Sequence, residues 1–330
     1  MKTELIVQIL NRILRWSPLM FLCVVAIVFT ILTQRFFTIS NIQAILVQSS
    51  WLALLALGMN FVLLTAGVDL SVGAIMYLAA VTVSLAVPTA PVWVVVLVAM
   101  LVGAVFGSAN GLFIVRLGIP PFIATLATAF IGRGLGLFFS AAQALDAGAR
   151  LAAVGRGSWL GIPVVIWFAA AGLLVSLTLM RALEFGSFVQ AIGADHEGAR
   201  RAGVPITRVT WSVYVLAGAF AGIGGLISLA QTASVSPAFG LNAEFLAIAA
   251  AVLGGTSLFG GRGSVWGPIV GVLLITTVQN GMALISATPY AYPVTTGIVI
   301  FIAVALDSLR SSLTARVERK RIRAVESASA

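Results

Sequence analysis

The sequence predicts an all-α fold: a polytopic transmembrane helical bundle of about ten spans, with room for an internal repeat and broken helices. Three observations point there. Hydrophobic residues fill 60% of the 330 positions and charged residues only 9%, against about 45–50% and about 25% in soluble domains, so most of the surface has lipid as its solvent. Apolar runs near the ~20 residues that a spanning helix needs recur along the chain. The basic residues collect on alternate loops between those runs.

In order, the apolar runs lie at about 18–34, 42–65, 70–87, 92–115, 122–140, 162–180, 208–230, 241–255, 265–286 and 291–308, separated by loops rich in Gly, Pro, Asn or Arg. The eighth, from Gly240 to Gly254, is shorter than a bilayer is thick and opens beside Glu244, so a broken or tilted helix is expected there. Re-entry of the second and third segments, or of the eighth and ninth, would bring the count to eight. Three regions follow: a cytoplasmic N-terminal segment over 1–17, one transmembrane domain over 18–308, and a cytoplasmic basic tail over 309–330. The first run shows no A-x-A-like cleavage site and is expected to remain as a span.

With both termini inside, the positive-inside rule sends most of the 19 basic residues to the cytoplasm, including Arg116, Arg181, Arg200, Arg201, Arg208, Arg262 and the run Arg316 to Arg323. Arg35, Arg150 and Arg156 fall outside, and Arg133 lies within the fifth run. The expected location is a bacterial-type inner membrane. The net charge of +9 is spread over loops and a juxtamembrane tail, a pattern suited to anionic lipid headgroups and not to nucleic acid. Two longer loops, 141–161 outside and 181–208 inside, are the natural docking surfaces.

Small residues let membrane helices approach closely, and this chain carries them in register. Gly103, Gly107 and Gly111 run along the fourth span beside Asn110, while Gly263, Gly267 and Gly271 lead into the ninth, followed by Asn280 and Gly281. Two glycine stripes, each with an Asn-Gly pair, fit an internal duplication of the kind transporters use, and fit independent packing equally well.

Catalysis finds little to work with. There is one histidine, His196, one cysteine, Cys23 inside the first run, and no paired acidic motif within a span, so no catalytic residues, metal site or bound cofactor are expected. A phosphate-binding G-x4-G-K-[ST] loop needs a lysine, and the only lysines are Lys2 and Lys320, so any ATP and magnesium must be used by a partner chain. Functional candidates are therefore the polar groups inside the spans: Asn60, Asp69, Ser71, Asn110, Thr125, Thr128 and Asn280. Lining of that kind suits a neutral, hydroxyl-rich solute better than an ion. Asp69, at a glycine-flanked break, is expected to cap the next helix, and Arg133 has Glu244 as a candidate ion-pair partner.

Four strings in order then carry a resemblance: Leu57 to Gly73, ending Asp-Leu-Ser-Val-Gly; Asn110-Gly111-Leu112 with Pro120 to Thr128 and Arg133-Gly134; Phe185 to Gly193 continuing through Ala199 and Ala202-Gly203-Val204; and Leu246 to Gly261. Together they resemble the ribose-type membrane permeases of binding-protein-dependent ABC importers for monosaccharides, over nearly the whole chain. Ala66 stands where such proteins commonly carry Gly, Ser187 where a basic residue is common, and Asp195 where Asn is common. The resemblance implies a non-enzymatic subunit that pairs with a second permease chain, a cytoplasmic ABC ATPase and a periplasmic sugar-binding protein. It also implies that Gly186, Ala191, Gly193, Ala199 and Gly203 belong to the loop that couples to the ATPase, and a bulky residue at Gly193 is expected to uncouple transport without disturbing folding. Alternatives left open are the same architecture carrying a branched-chain amino acid, a nucleoside or a signalling furanone, and an ion-gradient-driven secondary transporter.

Overall fold

The computed structural model describes residues 17–288, 290–298, 301–302 and 305; the basic tail and most of the N-terminal segment expected from the sequence lie outside these. In chain order the helices are α1 (Ser17–Leu32), α2 (Ile39–Leu64), α3 (Val72–Ala86), α4 (Val92–Leu117), α5 (Pro121–Phe139), α6 (Ala149–Arg156), α7 (Val164–Arg181), α8 (Glu184–Ala194), α9 (His196–Arg201), α10 (Ile206–Thr232), α11 (Ala243–Leu253) and α12 (Trp266–Leu284). A further helical stretch covers residues 291–298. Four two-residue strands, β1 (Leu145–Asp146), β2 (Ser158–Trp159), β3 (Ile162–Pro163) and β4 (Ser234–Val235), form two antiparallel pairs, β1 with β4 and β2 with β3. The fold is the all-α membrane bundle that composition demands.

Six helices, α2, α4, α5, α7, α10 and α12, are long and apolar enough to cross a membrane, so the protein is multi-pass. α3 and α11 are not. Their 15 and 11 residues rise only about 22 and about 16 Å at 1.5 Å per residue, against a hydrocarbon core about 30 Å thick. The eighth apolar run thus folds as the short helix its length implied, whereas the third, expected to span over 70–87, is a part-span because residues 65–71 are taken up by the break before it.

Contacts divide the described chain into two units, residues 39–273 and a second formed by residues before 39 and after 273. In the second, Phe29 and Phe36 stack at 5.8 Å, and Gly281 of α12 is seated against the Phe29 ring, where a Cβ would collide.

In the larger unit α2 and α10 are antiparallel at its centre, Gly58 facing Ala217 and Gly224 facing Trp51 and Leu55. The first glycine stripe makes the other close seam: Gly103 meets the Gly218 carbonyl, Gly107 the Tyr214 carbonyl and Gly111 the Trp211 backbone, so α4 also lies antiparallel against α10. The second stripe does the same elsewhere, Gly267 against Gly254 and Gly271 against the Ala250 carbonyl of α11.

One end of this unit is basic. It holds α8, α9, the start of α10 and the loop after α11, together with Arg181, Arg200, Arg201, Arg208 and Arg262. The opposite end holds the strand pairs and α6, where Arg150 donates to the Thr89 carbonyl at 2.6 Å. α2 and α11 run toward the basic end, α3 and α10 away from it. The order long helix, break, short helix therefore occurs twice in opposite directions, and each short helix packs on the long helix of the other half.

Candidate functional site

The first break begins where α2 stops at Leu64. Thr65 and Gly67 both donate backbone N–H groups to the Val62 carbonyl at 3.1 Å, and Ala66 takes a left-handed φ of 59°. That conformation costs a residue with a Cβ about 1–2 kcal/mol, whereas glycine adopts it freely. Asp69 follows, fully buried. Its Oδ1 accepts from the Ser71 backbone N–H at 2.8 Å and the Ser71 hydroxyl at 2.5 Å. It therefore closes the turn immediately before α3 and does not bond the helix's own first amides, a correction to its expected role as cap.

Ser71 passes the network onward. Asn110 of α4 donates to the Ser71 hydroxyl at 2.8 Å, Thr128 of α5 donates to Asn110 Oδ1 at 2.5 Å, and the Leu70 N–H donates to Thr125 Oγ1 at 3.1 Å. Five of the seven polar residues singled out in the sequence are thus joined in one buried network, which fixes the start of α3 against α4 and α5. The other two are elsewhere. Asn60 accepts from Thr256 at 2.6 Å, tying α2 to the loop after α11, and Asn280 lies in the second unit with Oδ1 unpaired. On the α10 side of the break, Tyr214 is fully buried with its hydroxyl unpaired, as is Asp69 Oδ2. Tyr214 was legible only as a hydroxyl placed within an apolar run.

The second break follows α10. Ala233 at φ 59°, Gly240 at φ 70° and Asn242 at φ 62° turn the chain back into α11. Here the two breaks meet: Gly73 in the first turn of α3 lies against the Gly240 carbonyl and the Glu244 carboxylate in the first turn of α11, leaving no room for a Cβ. Two helix N-termini, each a partial positive charge, face one another within the bundle.

A cavity of about 180 Å³ adjoins this point, lined by Leu70, Ala74, Leu126, Ala129, Phe130, Arg133, Leu241, Glu244 and Phe245. Arg133 Nη1 donates to the Phe239 carbonyl at 2.6 Å and the guanidinium lies over the Tyr77 ring at 4.6 Å. Nη2 has no partner. The expected ion pair with Glu244 is not among the salt bridges of the described residues; both groups line the cavity instead. Tyr77 and Phe239, which hold the guanidinium, carry no signature that sequence spacing would reveal.

At the basic end, α8 and α9 form a helical pair with an exposed tip from Ala194 to Glu197. Asp195 caps α9, accepting from the Glu197 and Gly198 N–H groups at 3.1 and 3.0 Å, a task Asn performs equally well. Ser187 is exposed and its hydroxyl returns to the Glu184 carbonyl. Gly186 sits against the Met180 backbone, Ala199 is buried, Ala191 is half-buried, and Gly203 turns the chain at φ 82°. Gly193 abuts the Leu64 carbonyl and the Gly261 backbone, so a larger residue collides with main chain. The expectation that a bulky substitution at Gly193 spares the fold is thereby overturned. Beside α9 runs a groove of about 580 Å³ lined by Ile114, His196, Arg200, Val204, Arg208 and Thr210 among others.

Residues 41–304 match the family described as branched-chain amino acid transport system / permease component. The chain belongs to this permease family. It is 38% identical over 301 residues to the ribose import permease protein of Bacillus subtilis (strain 168), covering 90% of this chain and 93% of the relative. It is 35% identical to the D-allose transport system permease protein of Escherichia coli (strain K12), covering 87% and 89%, and 34% identical to the L-arabinose transport system permease protein of the same strain, covering 88% and 90%. No solved structure matches the permease significantly. Its role is that of a transport subunit and not of an enzyme.

Proposed function

We infer that this permease is the membrane-spanning subunit of an ATP-driven importer that moves a monosaccharide, or a similar neutral polar solute, across a bacterial inner membrane. The observation that carries this reading is full-length similarity to permeases named for ribose, allose and arabinose. Two copies, or this chain and a similar one, form the pore. A cytoplasmic ABC ATPase docks at the basic end on the tip of α8 and α9 and the groove beside them, and a periplasmic sugar-binding protein docks at the strand-bearing end. The clustering of arginines at the α8 end supports this orientation, with both termini in the cytoplasm.

ATP and magnesium belong to the partner; this chain binds no cofactor. The path runs beside the break that the buried network from Asp69 to Thr128 holds, with Asn60 a further polar group of the same unit. Selectivity resides mainly in the binding protein, because a pore that held sugar tightly would release it slowly.

The test is uptake of radiolabelled D-ribose, D-allose and L-arabinose into proteoliposomes holding the permease with its ATPase and binding protein, with and without enclosed ATP. Uptake that requires all three proteins and ATP supports the reading. Uptake by the permease alone, driven by an ion gradient, overturns it.

A further inference from the structure

Arg133 and Glu244 are charged residues at a depth where charge is costly. Arg133 is 12 residues into α5, about 18 Å from its start at 1.5 Å per residue, and Glu244 opens α11 where the two breaks meet. Ionisable groups at such depth face a protein interior or a water-filled passage and not acyl chains. Neither is fully enclosed by this chain, and the cavity they line is rimmed by the exposed aromatic faces of Phe130 and Phe245. That surface therefore faces protein or water, and not acyl chains, once the protein is assembled.

The chemistry there is specific. The guanidinium is held in place by the Phe239 carbonyl and the Tyr77 ring, and Nη2 is itself buried in the cavity wall with no hydrogen-bond partner, a donor whose need is unmet. The carboxylate of Glu244 is an acceptor on the same wall, kept beside the α3 backbone by the absence of a side chain at Gly73. A separated donor and acceptor, flanked by two aromatic rings, match the alternating hydroxyls and C–H faces of a polyol ring. The volume of about 180 Å³ equals roughly six waters at ~30 Å³ each, enough for a small solute to displace them. A site of this kind between discontinuous helices near mid-membrane is where transporters contact cargo.

We propose that Arg133 and Glu244 form a polar contact point for sugar hydroxyls within the translocation path, at the meeting of the two broken helices, and that they tune which sugar passes. This rests on the importer reading above. Arg133→Lys keeps a positive charge and one donor for the Phe239 carbonyl but removes the second, unpaired nitrogen, and Glu244→Gln keeps shape while weakening the acceptor.

The experiment uses the complete importer in proteoliposomes. Each variant is expected to assemble and to retain ATPase activity stimulated by the binding protein, while sugar moved per ATP falls roughly tenfold and the ratio of D-ribose to D-allose uptake changes. In parallel, Ala129→Cys is placed in a Cys23→Ser background and treated with a membrane-impermeant thiol reagent in the assembled complex. Labelling is expected in at least one nucleotide state, slowed by transported sugar. An unreactive cysteine in every state, or variants with wild-type coupling and selectivity, would overturn the proposal while leaving the importer reading intact; loss of coupling and stimulation together would show a purely structural role and also overturn it. If the unmutated complex itself fails to import sugar, the fault lies in the importer reading.

Discussion

The seam between α4 and α10 allows a graded test of how closely this bundle is packed. At Gly111 an added Cβ would stand 2.9 to 3.1 Å from the Trp211 side chain and backbone, a deficit of a few tenths of an ångström against ordinary contact that the helix end can absorb. At Gly103 and Gly107 the same atom would fall on main-chain carbonyls of Gly218 and Tyr214, and carbonyls inside a helix have no rotamer in which to retreat. The helices must then part by roughly 1 Å, a gap that forfeits a quarter to a half of each dispersion contact across the seam. Gly111→Ala should therefore cost less than about 1 kcal/mol, while Gly103→Ala and Gly107→Ala should each cost about 2–3 kcal/mol, within the range for overpacked cores. Gly134, with nothing within 4 Å of its would-be Cβ, is the internal control; Gly134→Ala should be neutral or stabilise by up to about 1 kcal/mol through helix propensity. Apparent melting temperatures of detergent-purified protein, followed by size-exclusion chromatography after heating, give the order directly. A Gly103→Ala protein as heat-resistant as wild type, or one less damaged than Gly111→Ala, would refute the reasoning.

Three further outcomes are expected. Ala66→Gly should raise thermal stability by about 1 kcal/mol, since it relieves a left-handed alanine at φ 59°; an unchanged or lower melting temperature would count against the strain. Asn110→Ala removes the bonds to Ser71 and Thr128, and at about 0.6–1 kcal/mol each should lower stability by about 1–2 kcal/mol, with Thr128→Val costing less because only one of the two bonds is lost. Asp195→Ala should loosen α9 by about 1 kcal/mol and reduce sugar-driven ATPase coupling while membrane insertion stays normal, with Asp195→Asn close to wild type; equal coupling in both variants would dismiss the cap.

The apolar helices were legible in the sequence, but the expected ten spans were not all there: six helices among the described residues are long enough to cross, while the runs near 18–34, 70–87 and 241–255 fold as shorter ones because hydropathy marks an apolar run without fixing where its helix begins and ends. The short eighth run, from Gly240 to Gly254, declared itself by length alone. Tertiary pairing was another matter. Asp69, Ser71, Asn110, Thr125 and Thr128 were each visible as polar residues in apolar surroundings, but no spacing says that a serine at 71 and a threonine at 128 share one asparagine. Arg133 was the one basic residue within a span and Glu244, with Asp69, one of two acids near the spans, so pairing them was natural; the Phe239 carbonyl and the Tyr77 ring, both contributed from other segments, took the guanidinium instead. The motif string around Gly193 marked a need for a small residue there. That it abuts main chain on two sides depends on α2 and the loop after α11, far away in sequence.

The Leu64 carbonyl, on the last residue of α2, accepts from the Gly261 N–H at 3.0 Å and touches Gly193. One peptide group is thus a shared fulcrum for three segments, with no flexible side chain between them to act as a cushion. The end of α8 therefore touches both the turn that leads to Asp69 and the loop that leads into α12. The basic end and the break in the middle of the bundle are thus joined by main chain alone, with no room for a side chain at Gly193.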